Sequence, residues 1–391
     1  MSSELISLSP DLVQLRNLGY EVQIKGGYLL ISHVPYVTAA KQIEYGVLVS
    51  ELTLAGKRTA KPANHVTQFV GSQPCEKDGA FIKGLQAAEG KQTLFDGLTV
   101  DRTFSNKPAE GYADYFQKMG RYVDMISAPA VSLDGSATAQ TFKVIESPPD
   151  DSPFVYLDTN ASRARINVIS AKLQGFRIGI VGLGGTGSYV LDLVSKTPVR
   201  EIHLFDGDRF LQHNAFRAPG AASIDRLNEA PSKVDYLTGV YSKMHKGIRP
   251  HAEFLTAGNV AQLDSLGFVF LCMDAGENKR RIVEHLVERG IPFVDSGLGV
   301  QVADDKLLGV VRATTVTAAK KDHFAKRISF NDAENDDYST NIQIAELNML
   351  AASMAVIKWK KLVGFYVDLE HEFNSTYTLD GSMLLNEDTH P

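Results

Sequence analysis

The chain has 391 residues, 44% hydrophobic and 22% charged, with a formal net charge of −6. That is the composition of an ordinary globular protein with core enough for two or three domains, and the mixing of acidic and basic residues leaves no basic stripe to neutralise a nucleic-acid backbone, so no nucleic acid is expected as a partner. No run approaches the roughly 20 apolar residues that span a bilayer, and the opening MSSELISLSPDLVQLRN has neither the basic segment nor the unbroken apolar stretch of a signal peptide, so no membrane partner and a cytoplasmic location are expected.

In chain order, Gly27 to Val37 predicts a β-strand, and Gln42 to Leu54 is apolar enough for a buried strand or helix, its period deciding neither. His65 and Cys75, with Asn64 nearby, admit two readings: a cysteine–histidine pair for acyl transfer, or a cysteine serving as a small buried hydrophobe. Lys107 to Met119 holds three aromatics at close spacing, a docking surface or, on base rates, core packing. The segment Ser147 to Pro153 (SPPDDSP) breaks the composition with prolines and acids. It divides an accessory α+β domain (1–150) from a second domain (155–391).

After the break the pattern becomes regular. Phe176 to Val181 reads as a strand, a glycine cluster follows, and Tyr189 to Ser195 continues as a helix. Glu201 to Phe205 is a second strand. Phe268 to Cys272, Arg281 to Arg289 and Pro292 to Asp295 then repeat strand, helix, strand, which predicts a Rossmann-like, doubly wound, mostly parallel α/β sheet. Lys306 to Val316 adds one or two strands, Lys320 to Asp337 a long polar loop, and Ile342 to Leu362 a helix ending at Gly364. Trp359 on that helix and Cys272 in its apolar strand read as packing.

Gly182-Leu183-Gly184-Gly185-Thr186-Gly187 sits between a strand and a helix, where glycines let backbone N–H groups approach phosphate oxygens. The same string satisfies GxGxxG, and Asp206 ends the next strand where a dehydrogenase holds its ribose, so an NAD-dependent oxidoreductase stays open at this point. The downstream set disfavours it: Asp206, Asp208, Asn214, Arg217, Lys233 and Asp274. A nucleoside triphosphate needs cationic side chains for its phosphates and a carboxylate for its metal. On that reading Asp206 holds ribose hydroxyls, Asn214, Arg217 and Lys233 hold phosphates, and Asp274 binds Mg²⁺. Taken singly, Arg217 and Lys233 are as easily surface charges, and Asp274 a helix cap.

As a set these residues resemble the ThiF, MoeB and ubiquitin-activating superfamily, over roughly residues 160 to 300: GLGGTG at 182–187, Asp206 and Asp208, Asn214 with Arg217, Lys233, and Asp274. The resemblance implies ATP and Mg²⁺ as cofactors and adenylation of the C-terminal carboxylate of a ubiquitin-like or sulfur-carrier-like protein. It also implies a homodimer, because Asn160 to Arg165 resembles the family's arginine-bearing helix, from which Arg163 or Arg165 enters the partner's ATP site. Ala218 and Ala275 stand where the family often has glutamine and asparagine. No cysteine follows Cys272 and no paired CxxC occurs, so neither a thioester on this domain nor a structural zinc is expected. A ThiF-like module that binds nucleotide or a ubiquitin-like partner without turnover is the competing reading.

Overall fold

A computed structural model describes residues 2–95, 97–147, 152–164, 166–330 and 342–389. Residues 148–151 of the SPPDDSP break, the later part of the polar loop at 331–337 and Arg165 lie outside the described residues. The chain forms two compact units: 1–145 with 159–165, and 146–158 with 166–391.

The first unit opens with helices α1 (Ser2–Leu8) and α2 (Pro10–Asn17). Strands β1 (Glu21–Lys25), β2 (Tyr28–Val37) and β3 (Ile43–Glu51) follow, then the two-residue strands β4 (Leu54–Ala55) and β5 (Arg58–Thr59), then β6 (Val66–Val70), β7 (Gln86–Phe95) and β8 (Leu98–Ser105). Six of them make an antiparallel sheet in the order β1-β2-β3-β6-β8-β7. Helix α3 (Tyr115–Leu133) starts where the Asp114 carboxylate accepts Gln117 N–H at 2.8 Å, an N-cap that satisfies one orphan donor. Its buried Tyr115, Met119, Tyr122 and Ile126 recur at helical spacing and pack with Leu29, Leu48 and Phe104 of the sheet. The aromatics at 112–116 are therefore core. Short helix α4 (Thr159–Arg163) also belongs to this unit.

The second unit carries α5 (Asn167–Ser170), β9 (Arg177–Val181), α6 (Gly185–Val194), β10 (Glu201–Phe205), α7 (Gln212–Ala215), α8 (Ile224–Glu229), α9 (Lys233–Tyr241) and β11 (Ile248–His251). Then come β12 (Phe268–Leu271), α10 (Glu277–Arg289), β13 (Phe293–Ala303), β14 (Lys306–Val316), α11 (Phe324–Arg327), α12 (Ala345–Leu362), β15 (Glu372–Thr378) and β16 (Met383–Thr389). The eight strands lie in the order β11-β10-β9-β12-β13-β14-β15-β16. Pairing is parallel from β11 to β13 and antiparallel beyond.

Successive strand residues face two cores, as strand alternation requires. Phe268 and Phe270 join the cluster with Val190 of α6, Val234 of α9 and Trp359 of α12. Val269 and Leu271 join the one with Ile282 and Leu286 of α10. Trp359 is fully buried, its ring centroid 5.9–6.2 Å from those of Phe176, Phe268 and Phe270, and it packs as expected. With helices on both faces, the parallel strands read as nearly continuous apolar runs.

The expected strand Pro292 to Asp295 is much longer. Gly297 and Gly299 interrupt its apolar run, yet β13 continues to Ala303 because β14 supplies an antiparallel partner for every residue, from Phe293↔Val316 to Ala303↔Lys306. Asp304 and Asp305, both with positive φ (48° and 60°), close the hairpin. The sheet reverses direction from β9, with β10 on one side and β12 on the other, so a crevice opens at the carboxyl ends of these strands.

Candidate functional site

That crevice is a cavity of about 920 Å³. The glycine turn forms its floor, and three of its glycines are needed by the protein itself. Gly182 has φ +85°, and a Cβ there would stand 2.6 Å from the Cys272 carbonyl oxygen. A Cβ on Gly187 would be 1.8 Å from Gly182 O, and one on Gly185 would be 2.1 Å from Asn348 Nδ2. Gly184 differs, since nothing lies within 4 Å of the place its Cβ would take. Open space over a backbone turn at the start of α6 is where an anionic ligand can approach unpaired N–H groups.

Gly182, Gly184, Gly185, Asp206, Asp208, Arg217, Lys233 and Asp274 all line this cavity. Asp206, 7% exposed, ties the turn to β10: its Oδ2 accepts Leu183 N–H at 2.6 Å and its Oδ1 accepts Asp208 N–H at 2.8 Å. Lys233, at the start of α9 and 7% exposed, donates to Asp208 Oδ2 at 2.7 Å and lies 3.5 Å from Asp206 Oδ2. Arg217 is half-buried, and its Nε is buried without a hydrogen-bond partner. A buried guanidinium nitrogen left without an acceptor costs free energy that a ligand oxygen recovers.

Two expected site residues stand behind the lining. Gly187 provides clearance for the Gly182 carbonyl. Asn214 is 3% exposed and its Oδ1 accepts Leu211 N–H at 2.8 Å, holding the short helix that delivers Arg217. Arg163 is exposed at the end of α4 in the first unit.

His65 and Cys75 have different partners: His65 Nε2 is 3.1 Å from Ser105 Oγ, while Cys75 is fully buried, donates to Gln73 O and is pushed above the usual thiol range by burial. Cys272 lies just past β12 in the cavity lining, where burial pushes its thiol up to about 12, so it is protonated and unreactive at neutral pH.

Sequence reasoning missed the other end of the cavity. Asp295 on β13 is fully buried, with Lys279 Nζ 2.6 Å from its Oδ1 and Arg312 Nη2 2.7 Å from its Oδ2. The lysine contact is an ion pair without hydrogen-bond alignment, because Oδ1 has no hydrogen-bond partner. Lys279 Nζ also donates to Met273 O at 3.3 Å, beside Asp274. Gly297 leaves room for this cluster, since a Cβ there would be 2.7 Å from Arg312 Nη2. Phe254, 60% exposed, lies over Gly207 at the Asp206 end, and Asn348 of α12 lines the cavity opposite.

Among the described residues no group of three or more histidine, cysteine, aspartate or glutamate side chains is arranged to hold a metal. Mg²⁺ differs from most ions in needing only one or two protein carboxylates when phosphates supply the rest. The lining acids Asp206, Asp208, Glu253, Asp274 and Glu277 face the bases Arg217, Lys233, Lys279 and Arg312, so a polyanion entering here fits best with a cation of its own.

Residues 10–159 match a domain of unknown function, DUF6791. No curated protein matches the chain. Similar solved structures include E. coli MccB with MccA-N7isoASN (15% identity, TM-score 0.46, covering 60% of this chain and 73% of that one). PaaA is 16% identical (TM-score 0.44, 57% and 76% covered) and TcdA (CsdL) 18% identical (TM-score 0.41, 52% and 92% covered). The second unit's own sheet, parallel from β11 to β13 and flanked by helices, is Rossmann-like. Residues 162–380 match the ThiF family, more than half of the chain, and the protein belongs to that family.

Proposed function

We propose that the second unit is an ATP-dependent adenylyltransferase that activates the C-terminal carboxylate of a peptide or small protein, of the ubiquitin-like or sulfur-carrier-like kind, and releases pyrophosphate. The observation that carries the reading is Arg217, whose buried Nε lacks an acceptor at a cavity where Gly184 leaves open space over the start of α6.

A carboxylate is ionised at neutral pH, so its attack on the α-phosphate needs no general base. Positioning and charge neutralisation carry the barrier. In this reading Asp206 orients the ribose, and Lys233 turns from Asp208 toward a phosphate oxygen. Arg217 stabilises the charge developing on the transferring and leaving phosphates. Asp274 would hold Mg²⁺ together with the phosphates, and the ion would supply electrostatic stabilisation of the same charge. With Cys272 protonated and no cysteine after it, the activated acyl group passes to a hydroxyl or to another protein without a thioester on this unit.

The test is ATP–pyrophosphate exchange with candidate carrier proteins ending in glycine. Exchange that requires both a carrier and Arg217 supports the reading; ATP binding with no exchange for any carrier overturns turnover. The reading extends to a homodimer in which Arg163 or Arg165 acts in the partner's site. Mixing the inactive Arg217→Ala protein with the double variant Arg163→Ala/Arg165→Ala then restores part of the activity, whereas no restoration rejects the trans arrangement.

A further inference from the structure

Asn348 sits in the first turn of α12, which packs against α6, β13 and β14. It is 1% exposed and lines the cavity. Its Oδ1 accepts the Thr186 hydroxyl at 2.9 Å, which fixes the plane of the carboxamide. Its Nδ2 lies against Gly185, so close that a Cβ there would be 2.1 Å away, and that nitrogen has no hydrogen-bond partner among the described residues. A buried amide donor oriented by a hydroxyl, with no acceptor, sits beside the first N–H groups of α6. Such donors are almost always satisfied in folded proteins, by ligand or water where protein does not serve.

Sheet order places this donor away from Asp206. Asp206 ends β10 on one side of β9, whereas α12 packs over α6 on the side of β13 and β14. The ribose end and the Asn348 end are thus on opposite sides of the glycine turn. Ser296, on β13 and 9% exposed, lines the same end and also has an unpartnered hydroxyl oxygen. We propose that Asn348 is the donor of an acyl subsite: its Nδ2–H, with the N–H groups opening α6, holds the oxygen of the substrate carboxylate that becomes the carbonyl of the acyl-adenylate.

This rests on the adenylation reading and deepens it. In the step concerned one carboxylate oxygen bonds to the α-phosphorus and the bond from that phosphorus to the bridging oxygen breaks. The electron pair leaves with pyrophosphate and no proton moves. The other carboxylate oxygen, held by Asn348, ends as the carbonyl oxygen.

The experiment uses two probes on the full chain: 5′-O-(N-glycylsulfamoyl)adenosine, which carries an acyl group, and 5′-O-sulfamoyladenosine, which does not. In calorimetric titrations Asn348→Asp, which keeps the shape and removes the donor, weakens the glycyl compound about 10- to 100-fold, or about 1.4 to 2.7 kcal/mol, and leaves the plain compound within about twofold. Thr186→Val, which frees the carboxamide to rotate, gives the same selectivity at smaller size and serves if the asparagine variants fold poorly. Equal weakening of both compounds, no weakening, or a wild type that binds the glycyl compound no better than the plain one overturns the subsite. A wild type that binds neither removes the adenylation reading as well.

Discussion

Asp206, Asp208 and Lys233 gather at the end of β10, and Lys279, Asp295 and Arg312 around the start of β13, so one cavity has a charge cluster on either side. In the first, Asp208 is more than half exposed and Lys233 donates to it at a surface that faces open space. In the second, Asp295 is fully buried and its charge is met from both sides by bases that are 4% and 18% exposed. On the proposed reading, groups of the same chemistry are arranged in one place to be rearranged by a ligand and in the other to hold strand, hairpin and loop together. Only the first kind is expected to appear in the reaction.

The largest effect belongs to the closed cluster. Asp295→Ala leaves Lys279 and Arg312 without their counter-charge in a buried setting, and breaking such a pair costs roughly 3–5 kcal/mol. Urea unfolding of the variant should show that loss. Asp295→Ala combined with Lys279→Met and Arg312→Met should recover most of it, since replacing all the charges removes the uncompensated ones. A single variant as stable as wild type would erase the contrast between the clusters.

Arg217→Ala is the opposite experiment. On the proposed reading pyrophosphate exchange falls by about 10²–10³, the scale for losing one preorganised donor to transition-state charge, while the unfolding midpoint moves by no more than about 2 °C. A stability loss matching that of Asp295→Ala would make Arg217 structural.

The difference between the clusters explains what was readable in advance. Asp206 and Asp274 were legible as cavity residues because they stand just past apolar strands, and Arg217 and Lys233 only through their joint spacing with those acids. The parallel core was legible for the complementary reason, that strands buried on both faces are apolar runs. Asp295 was invisible as a site residue because its partners come from an α-helix and across a hairpin, and Gly297, which makes room for Arg312, cuts short the apparent strand. Asn348 meets Thr186 over a separation of 162 residues, and no local pattern announces such a contact. The two-sheet division of labour was partly legible: Gln42 to Leu54 left strand and helix open, and the structure forms β3 there because β2 and β6 flank it. Strands β7, β8, β15 and β16 were not read at all, because none of them carries an apolar run of buried-strand length.

A third test extends the closed type to titration. His245 is fully buried, accepts Gly247 N–H on Nδ1 at 3.0 Å and donates from Nε2 to Val199 O at 3.0 Å, so it is held neutral, and burial pulls it down to about 4. The unfolded chain binds its proton near 6.5, so between the two values the unfolded state carries more protons and stability rises with pH. The contribution is fully present above about 6.5 and is lost as pH falls toward about 4, at most about 3 kcal/mol. His245→Gln should flatten that part of the stability–pH curve. Unchanged pH dependence would mean that His245 contributes no such linkage.

The smallest effect separates the glycines of the turn. Gly184 has extended backbone (φ −68°, ψ −152°) and free space at its Cβ position, so Gly184→Ala should fold with a change within about 1 kcal/mol. The added methyl then occupies the space that the reading gives to a phosphate, and ATP affinity should fall about tenfold, or about 1.4 kcal/mol, by titration calorimetry. Gly187 has no such freedom, with Gly182 O 1.8 Å from where its Cβ would be, and belongs with the closed cluster although it stands in the same motif. If Gly184→Ala binds ATP as wild type does, the open space over α6 is not where the phosphates lie, and the division between residues kept for the fold and residues kept for the ligand has to be redrawn within the glycine turn itself.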